Sequence, residues 1–378
     1  MSVISQAYQW YVERKFPDVD ENAEPAAEWG LQWLEHIQRD PFLERVAERF
    51  LSYRHPMLET FFCGMHFPHP LGWAAGLDKY LRVYWKGLPL CGFSFGEVGG
   101  VTAHEQPGNQ GVRLRAHRGL RATWNWYGFN NHGADNSAAI AARSPEPPVP
   151  VWLNIGKSAD VPFRGEDDLP AVVADYRYTI RKVGRYFLAV VENPSSPNTV
   201  NLRLLQKKVY LDVLVRETQE EMRLLPPLLG GKRRKLGVKF APDMNDNEVA
   251  DAIDVCKNRQ VDFVVLTNTT TDRSSVPGWN IPSDRGGVAG APLRERALEV
   301  QKAFARGLGK SIPIAAAGAI MNGDDLYERT VYGATLSQTY AGLIFHGPDF
   351  VKYCLKRLVQ RLKRAGFARI ADAVGAAL

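Results

Sequence analysis

The stretch "RYFLAVVENPSSPNTVNLRLLQ", Arg185–Gln206, is an apolar run that stops in the turn "ENPSSPN". Pro194 and Pro197 fix φ and cannot donate to a sheet ladder, so the chain leaves its strand here. Asn193, Ser195, Ser196, Asn198 and Thr199 therefore sit on a stiff turn. Taken alone the turn is ordinary, because Asn, Ser and Pro dominate turns for local reasons. Its meaning depends on whether the layout recurs.

It does recur. Short apolar runs, each closed by a polar or glycine-rich stop, read in order "LGWAAGLDK", "FSFGEVGGVT", "VWLNIGK", "RYFLAVVEN", "LGVKFAP", "DFVVLTNTT", "SIPIAAAGAI" and "GATLSQTYAG". That is about eight, the strand number of a closed parallel barrel. Segments of helical period lie between several of them, among them "DLPAVVADYRYTIRKVG", "DNEVADAIDVCKNR", "LRERALEVQKAFARGLG" and "NGDDLYERTVYG". Such alternation points to a buried parallel sheet with right-handed crossovers. A barrel and an open doubly wound sheet both fit it, so the polar residues must arbitrate. Lys79, Thr102, Asn154, Asn193 with Ser196, Lys239, Thr267 with Asn268, and Tyr340 stand at the C-terminal ends of the runs. In a barrel those ends converge on one rim, where such enzymes hold their chemistry, whereas an open sheet scatters them. No G-x-G-x-x-G follows the first run, which argues further against a dinucleotide fold. The expectation is an α/β chain with a (β/α)8 TIM barrel over residues 70–378 and an N-terminal helical extension over residues 1–69.

In that extension, "AAEWGLQWLEHIQ" and "PFLERVAERFLSY" carry Trp29, Trp33, Phe42, Val46, Phe50 and Leu51 as an apolar side. Arg39, Arg45, Arg49 and Arg54 lie on or near the other. A stripe of this kind is either core packing or a surface for a membrane or partner. No apolar run reaches the length of a membrane span, and the N-terminus lacks the layout of a signal peptide. Any membrane contact is thus expected to be peripheral, from outside the bilayer core and on its cytoplasmic side.

The net charge of +6 is spread out, and its densest cluster is "GKRRKLGVK", Gly231 to Lys239. With no recognition motif or aromatic interleaving, it reads as a solvated loop rather than a nucleic-acid surface. Cys63, Cys91, Cys256 and Cys354 are far apart, and the chain reads as intracellular, without a disulfide framework. Cys63, His66 and His69 are conceivable ligands, but Pro68 and the lack of a second ligand pair argue against a metal.

The ordered motifs "AAGLDK", "NWYGFN", "LNIGK", "NPSSPNT" followed by "LRLLQ", "VKFAPD", "LTNTT", "GGVAGAPL" and "QTYAG" resemble those of dihydroorotate dehydrogenase. The resemblance runs from about Pro70 to the C-terminus. It implies a barrel carrying FMN that oxidises dihydroorotate to orotate in pyrimidine synthesis. The family divides by its base, cysteine in the soluble class and serine in the membrane-associated class that passes electrons to quinone. Here Ser196 matches the base, and Thr199 and Phe129 match the lining of its proton route. Lys79, Asn125, Asn193, Asn198, Asn268 and Thr269 match substrate contacts. Flavin contacts correspond to Ala74, Ala75, Gly76, Gly100, Asn154, Asn193, Lys239, Thr267 and Gly290. The phosphate site corresponds to Gly318, Ala319, Tyr340 and Ala341, whose backbone N–H groups would serve as donors.

The chemistry asks for such residues independently of any family. Making a carbon–carbon double bond beside a carbonyl needs a base for one proton and an acceptor for the neighbouring hydride. A serine hydroxyl is a weak base, so it works only when held against the substrate and shielded from water. Amide side chains suit a pyrimidine edge because they offer both donors and acceptors.

Several positions depart from the resemblance. Gly100 and Ala341 stand where hydroxyls are common, and Ala319 replaces a second glycine. Ala289–Ala291 reads "AGA" instead of Ser-Gly-Lys, and Trp126 takes the place of an arginine. These departures leave two rivals open: a paralogue acting on another cyclic amide or enone, and a flavin- or phosphate-binding barrel without turnover.

Overall fold

The computed structural model describes residues 3–228 and 231–378. Helices α1 (Val3–Lys15), α2 (Glu24–Ile37) and α3 (Pro41–Leu51) come first. A hairpin of β1 (Thr60–Phe62) and β2 (Met65–Phe67) follows, and then β3 (Leu71–Trp73) and β4 (Gly96–Val101). Next come β5 (Leu114–His117), β6 (Ala122–Asn125), β7 (Val151–Ile155), β8 (Ala189–Glu192), β9 (Lys235–Phe240) and β10 (Phe263–Leu266). The last strands are β11 (Gly287–Gly290), β12 (Ile314–Ala317) and β13 (Ala334–Thr339). Strands β3, β4, β7, β8, β9, β10, β12 and β13 pair in parallel in that order, and β13 closes on β3 to complete the barrel. Each of the eight apolar runs supplies one of these strands.

Glycines inside the runs become intelligible from the barrel interior. Toward the N-terminal end the rings of Phe95, Trp152 and Phe263 fill it, with centroids 4.9 and 4.7 Å apart along that series. A Cβ on Gly72 would lie 2.6 Å from the Phe95 ring, and one on Gly237 would lie 2.3 Å from the Phe263 ring. Large rings and bare backbone thus interdigitate at crystal-like density. The hairpin, which carries no signal in the sequence reading, presses Phe62 and Phe67 onto these rings and stoppers this end. The conceivable metal ligands beside it go to separate partners. Cys63 Sγ donates to the Asp262 carbonyl (3.3 Å), His66 faces Glu59 (3.4 Å), and His69 bonds to the Gly92 carbonyl (2.9 Å).

The basic run at 231–239 dissolves into local pairs. Arg233 and Lys235 both bind Asp262, Arg234 is buried against backbone carbonyls, and Lys239 points into the barrel.

Helices Leu169–Val183, Lys208–Arg223 and Asp246–Asn258 cover the outside of β8 and its neighbours. Successive side chains of β8 alternate, so Ala189 and Val191 face inward while Val190 and Glu192 face the helices. Glu192 is fully buried there, and among the described residues neither carboxyl oxygen has a well-formed hydrogen bond. Around it lie the Thr218 hydroxyl, the Tyr176 phenol and the Cys256 thiol. Burial pushes the Glu192 carboxyl up to about 8. As pH rises from the ordinary carboxyl range toward 8, the unfolded chain gives up a proton that the folded chain keeps. The stability present at low pH is therefore lost across that window. Glu192→Gln should remove this slope, so that its melting temperature gains on the wild type by about 2–4 °C or more between about pH 5 and pH 8. Thermal melts in which the difference stays flat with pH would show that Glu192 is not the group responsible.

Candidate active site

A buried carboxylate organises the barrel mouth. Glu97 on β4 is fully buried, and its Oε1 lies 3.5 Å from Lys239 Nζ on β9. Asn154 on β7 donates to the same oxygen, and Gln338 on β13 donates to Oε2 at 2.8 Å. From Asn154 the bonding passes outward. Asn193 Nδ2 donates to Asn154 Oδ1 (3.0 Å), and Asn268 Nδ2 donates to Asn193 Oδ1 (3.1 Å).

The two serines of the opening turn differ in what they already hold. Ser195 Oγ donates to Asn193 Oδ1 (2.8 Å) and accepts from Asn268 Nδ2 (3.0 Å), so its hydroxyl is committed to the scaffold. Ser196 Oγ accepts only the Asn198 N–H (3.3 Å) among the described residues, and it faces the cavity. Thr199 sits just beyond, its Oγ1 buried without a hydrogen-bond partner among the described residues.

Strands β5, β6 and β11 form an antiparallel flap over the mouth, with β6 in the middle. Asn125, the last residue of β6, accepts from Asn198 Nδ2 (2.7 Å), which ties flap to turn. The adjacent Trp126 does not reach the cavity. It packs with Trp124, Val276 and Trp279 in a separate apolar cluster, which removes the argument that Trp126 reshapes the pocket. Thr102 likewise turns away, donating to the His104 carbonyl.

One cavity brings the expected residues together. It is walled by Lys79, Asn125, Phe129, Asn154, Asn193, Ser196, Asn198, Lys239, Thr267, Asn268 and Thr269. Ala74, Ala75, Gly76, Gly100, Gly290, Gly318, Ala319, Tyr340 and Ala341 line it as well. Thr199 alone among the expected residues lies behind the wall. Glu97, Tyr127 and Gln338 were missed, although Glu97 and Gln338 stand inside quoted strand runs. A charged or amide residue in a run buried on both faces is the signal that marks such positions.

Lys79 belongs to a loop pinned from behind. Asp78 is buried and accepts the N–H groups of Arg82, Val83 and Tyr84, each at 2.8 Å. Lys79 Nζ then sits 3.5 Å from the centroid of the Tyr127 ring, and burial pulls the amine down to about 8.

The wall suits a flat polar ring with a phosphate tail. Gly76 and Gly318 present bare backbone at φ +95° and +85°, and a Cβ on Gly318 would meet Leu293 at 2.9 Å. Lys239, Asn154 and Thr267 supply a cation, an amide and a hydroxyl to the same space. Ala319 keeps the left-handed backbone of a glycine (φ +58°), at a cost of about 1–2 kcal/mol. Gly100 has its own reason, since a Cβ there would lie 2.7 Å from the Phe129 ring and 2.9 Å from Asn154 Oδ1.

A second cavity of about 710 Å³ lies between the barrel mouth and helices α1 and α2, a size in the usual range for small-molecule sites. Val12, Val19, Trp29, Leu31, Leu34 and Ile37 make it apolar, and the Glu24–Arg113 pair (2.8 Å) is its main charged feature. Gly76, Lys79, Thr123, Tyr127 and Tyr340 border both cavities, so one thin wall separates them.

A (β/α)8 barrel with amides, a hydroxyl and lysines gathered at the C-terminal mouth has the layout of a barrel enzyme's active site. Residues 57–362 match the family described as "Dihydroorotate dehydrogenase". The chain belongs to that family. It is 38% identical over 343 residues to "Dihydroorotate dehydrogenase (quinone)" of Halobacterium salinarum, covering 88% of this chain and 93% of that one. The protein of the same name from Myxococcus xanthus is 36% identical over 358 residues, 94% of each chain. Among solved structures, the ligand-free type DHODH from Eimeria tenella superposes with a TM-score of 0.80 at 29% identity, covering 94% of this chain and 99% of that one.

The packing at Gly100 is directly testable. Gly100→Ala should destabilise the protein by about 1–3 kcal/mol, the usual cost of overpacking, and should displace the Phe129 ring. A melting temperature within about 1 °C of wild type would show that the ring yields freely.

Proposed function

We propose that the chain oxidises dihydroorotate to orotate, with FMN in the barrel-mouth cavity and a quinone taking the electrons from the apolar one. The observation that carries this reading is the Ser196 hydroxyl, uncommitted and enclosed by four asparagines, one wall away from an apolar chamber. The relatives' name, dihydroorotate dehydrogenase (quinone), supports the same pairing of substrate and acceptor.

FMN, when bound, supplies the acceptor for the hydride that leaves the substrate carbon. Backbone groups of Ala74, Ala75, Gly76 and Gly290, together with Asn154, Thr267 and Lys239, would hold its ring. Gly318, Ala319, Tyr340 and Ala341 would hold its phosphate. The chain's own part in the reaction is positional and protonic. Asn125, Asn193, Asn198 and Asn268, with Thr269, present donors and acceptors to the pyrimidine edge. Lys79 offers its charge to the substrate carboxylate. Ser196 Oγ takes the proton from the carbon beside the carbonyl, as its own proton passes toward the buried Thr199 hydroxyl. Phe129 screens that route from bulk water. Ser195 has its proton already bonded to Asn193, so it is scaffold rather than base.

Ser196→Ala should keep FMN and slow its anaerobic bleaching by dihydroorotate about 10²- to 10⁴-fold, the share of a positioned base. Ser195→Ala should lose far less. Equal losses in the two variants, or a wild-type protein that dihydroorotate leaves yellow, would defeat the reading.

The acceptor side depends on the extension. α2 turns Leu31 and Leu34 onto the barrel core, and Arg82 holds it through Glu28 and Glu35 at 2.8 Å each. α3 differs, because none of its described side chains packs on that core, and Phe42 and Phe50 are 69% and 54% exposed. Arg45 and Arg49 are exposed beside them. Aromatics flanked by arginines suit an interface with anionic lipid, entered without spanning it, and no described helix is long and apolar enough to cross a membrane. We place this face on the cytoplasmic surface of the membrane, where the apolar chamber would receive its quinone. Phe42→Ser with Phe50→Ser should cut cosedimentation with anionic vesicles about tenfold or more, leaving turnover with a soluble dye intact. Unchanged vesicle binding would show that α3 is not the contact.

A further inference from the structure

One quoted motif plays no part in the chemistry above. "LRLLQ" follows the serine turn directly and folds as the 3₁₀ segment Leu202–Gln206. Its Arg203 is fixed at three points. Nε donates to the Ser195 carbonyl (2.9 Å), Nη2 to the Thr269 carbonyl (2.8 Å), and Nη1 to the Asp243 carboxylate (2.6 Å). Those partners sit on the loops after β8, β10 and β9, which meet at this one guanidinium. Asp243 extends the tie, because its other contacts are the Thr270 hydroxyl and the N–H and hydroxyl of Thr271. Gln206 adds a second link, its Oε1 accepting the Ala241 N–H at 2.9 Å.

Two of these ties, at Ser195 and Thr269, end one residue from a group of the proposed reaction. Ser195 precedes Ser196, and Thr269 follows Asn268, whose own carboxamide accepts the Thr269 N–H at 2.8 Å. Arg203 itself does not line the cavity. Its planar fork spans diverging acceptors at fixed geometry, as a lysine ammonium cannot. We propose that Arg203, braced by Asp243, is a positioning residue that locks the serine turn against the Asn268–Thr269 loop and thereby sets the base relative to the amides. This rests on the dihydroorotate reading for its kinetic consequence, but not for its structural one.

The test uses full-length, FMN-loaded protein with Arg203→Met, Arg203→Lys and Asp243→Asn. A base displaced by a fraction of an ångström costs rate, while amides that keep their groups still bind ligand. The expected result is flavin reduction at saturating dihydroorotate slowed about 10- to 100-fold, with orotate affinity by calorimetry within about threefold of wild type. Arg203→Lys should fall nearly as far as Arg203→Met, because the fork and not the charge is what matters. Arg203→Met with Asp243→Asn should be no slower than the slower single variant. Independently of any turnover, amide hydrogen exchange over residues 193–200 should quicken about tenfold in Arg203→Met while the barrel strands stay protected.

Wild-type exchange over 193–200 in Arg203→Met would overturn the proposal, even if dihydroorotate is not the substrate. So would full recovery by Arg203→Lys, or a parallel loss of rate and orotate affinity. If Arg203→Met does not fold, Arg203→Lys and Asp243→Asn carry the same exchange test. Failure of wild-type flavin to bleach would strike the proposed function alone.

Discussion

A carboxylate sealed inside a barrel must find its countercharge and its hydrogen bonds among its neighbours, because water is not there to supply them. Glu97 sets that condition for this chain. Lys239, Asn154 and Gln338 meet it from three other strands, so β4, β7, β9 and β13 are held in mutual register by one side chain. The order then spreads to the surface through amides. Asn154 orients Asn193, Asn193 orients both Ser195 and Asn268, and the hydroxyl left over is that of Ser196. Reactivity at the rim is in this sense what remains after the interior has satisfied itself.

Much of this was legible in the chain before its coordinates. Eight apolar runs with polar stops gave the barrel, because a strand buried on both faces has little choice of composition, and its exposed end has a great deal. The cavity residues at those strand ends were legible for the same reason, whereas Asn125, Phe129, Asn198, Thr269 and the glycine positions came only with the family resemblance, and the stiff prolines marked the turn that matters. What stayed hidden was long-range. Nothing local in "TFFCGMHF" says that Phe62 and Phe67 will plug a barrel, and nothing in "NWYGFN" says that Trp126 will turn outward while Asn125 turns in. That outcome depends on strand alternation in a flap whose third strand, β11, lies far in sequence from the β5–β6 hairpin it pairs with. Arg203 and Asp243 were present in quoted motifs but had no visible purpose, since their partners are defined only once three loops converge.

The stoppered end also explains why the two cavities are neighbours. With Phe62 and Phe67 against the interior rings, the described barrel offers access at its C-terminal mouth. An apolar chamber can then approach the same interior only from the side, beneath α1 and α2. The wall between them is Lys79, Thr123, Tyr127 and Tyr340, with backbone at Gly76. A lysine enclosed there, stacked on an aromatic ring and with its amine pulled to about 8, has both charge states within reach near neutral pH.

The flap divides labour in a way that bears on how such a chain can change. Its inner edge delivers Asn125 to the turn, while its outer face packs Trp124 and Trp126 against the segment around Val276 and Trp279. It joins the rim through few bonds, chiefly Asn125 with Asn198 and the paired N–H and carbonyl groups of Thr270 and Val288. The barrel beneath it is constrained from all sides by ring packing and a buried charge. Replacement is therefore cheapest at the flap's part-buried positions, and Trp126, Ala289 and Ala291 are all part-buried on or beside its strands. Such a lid is a module that drift can rewrite, so the enclosure of the substrate can evolve while the machinery under it stands still.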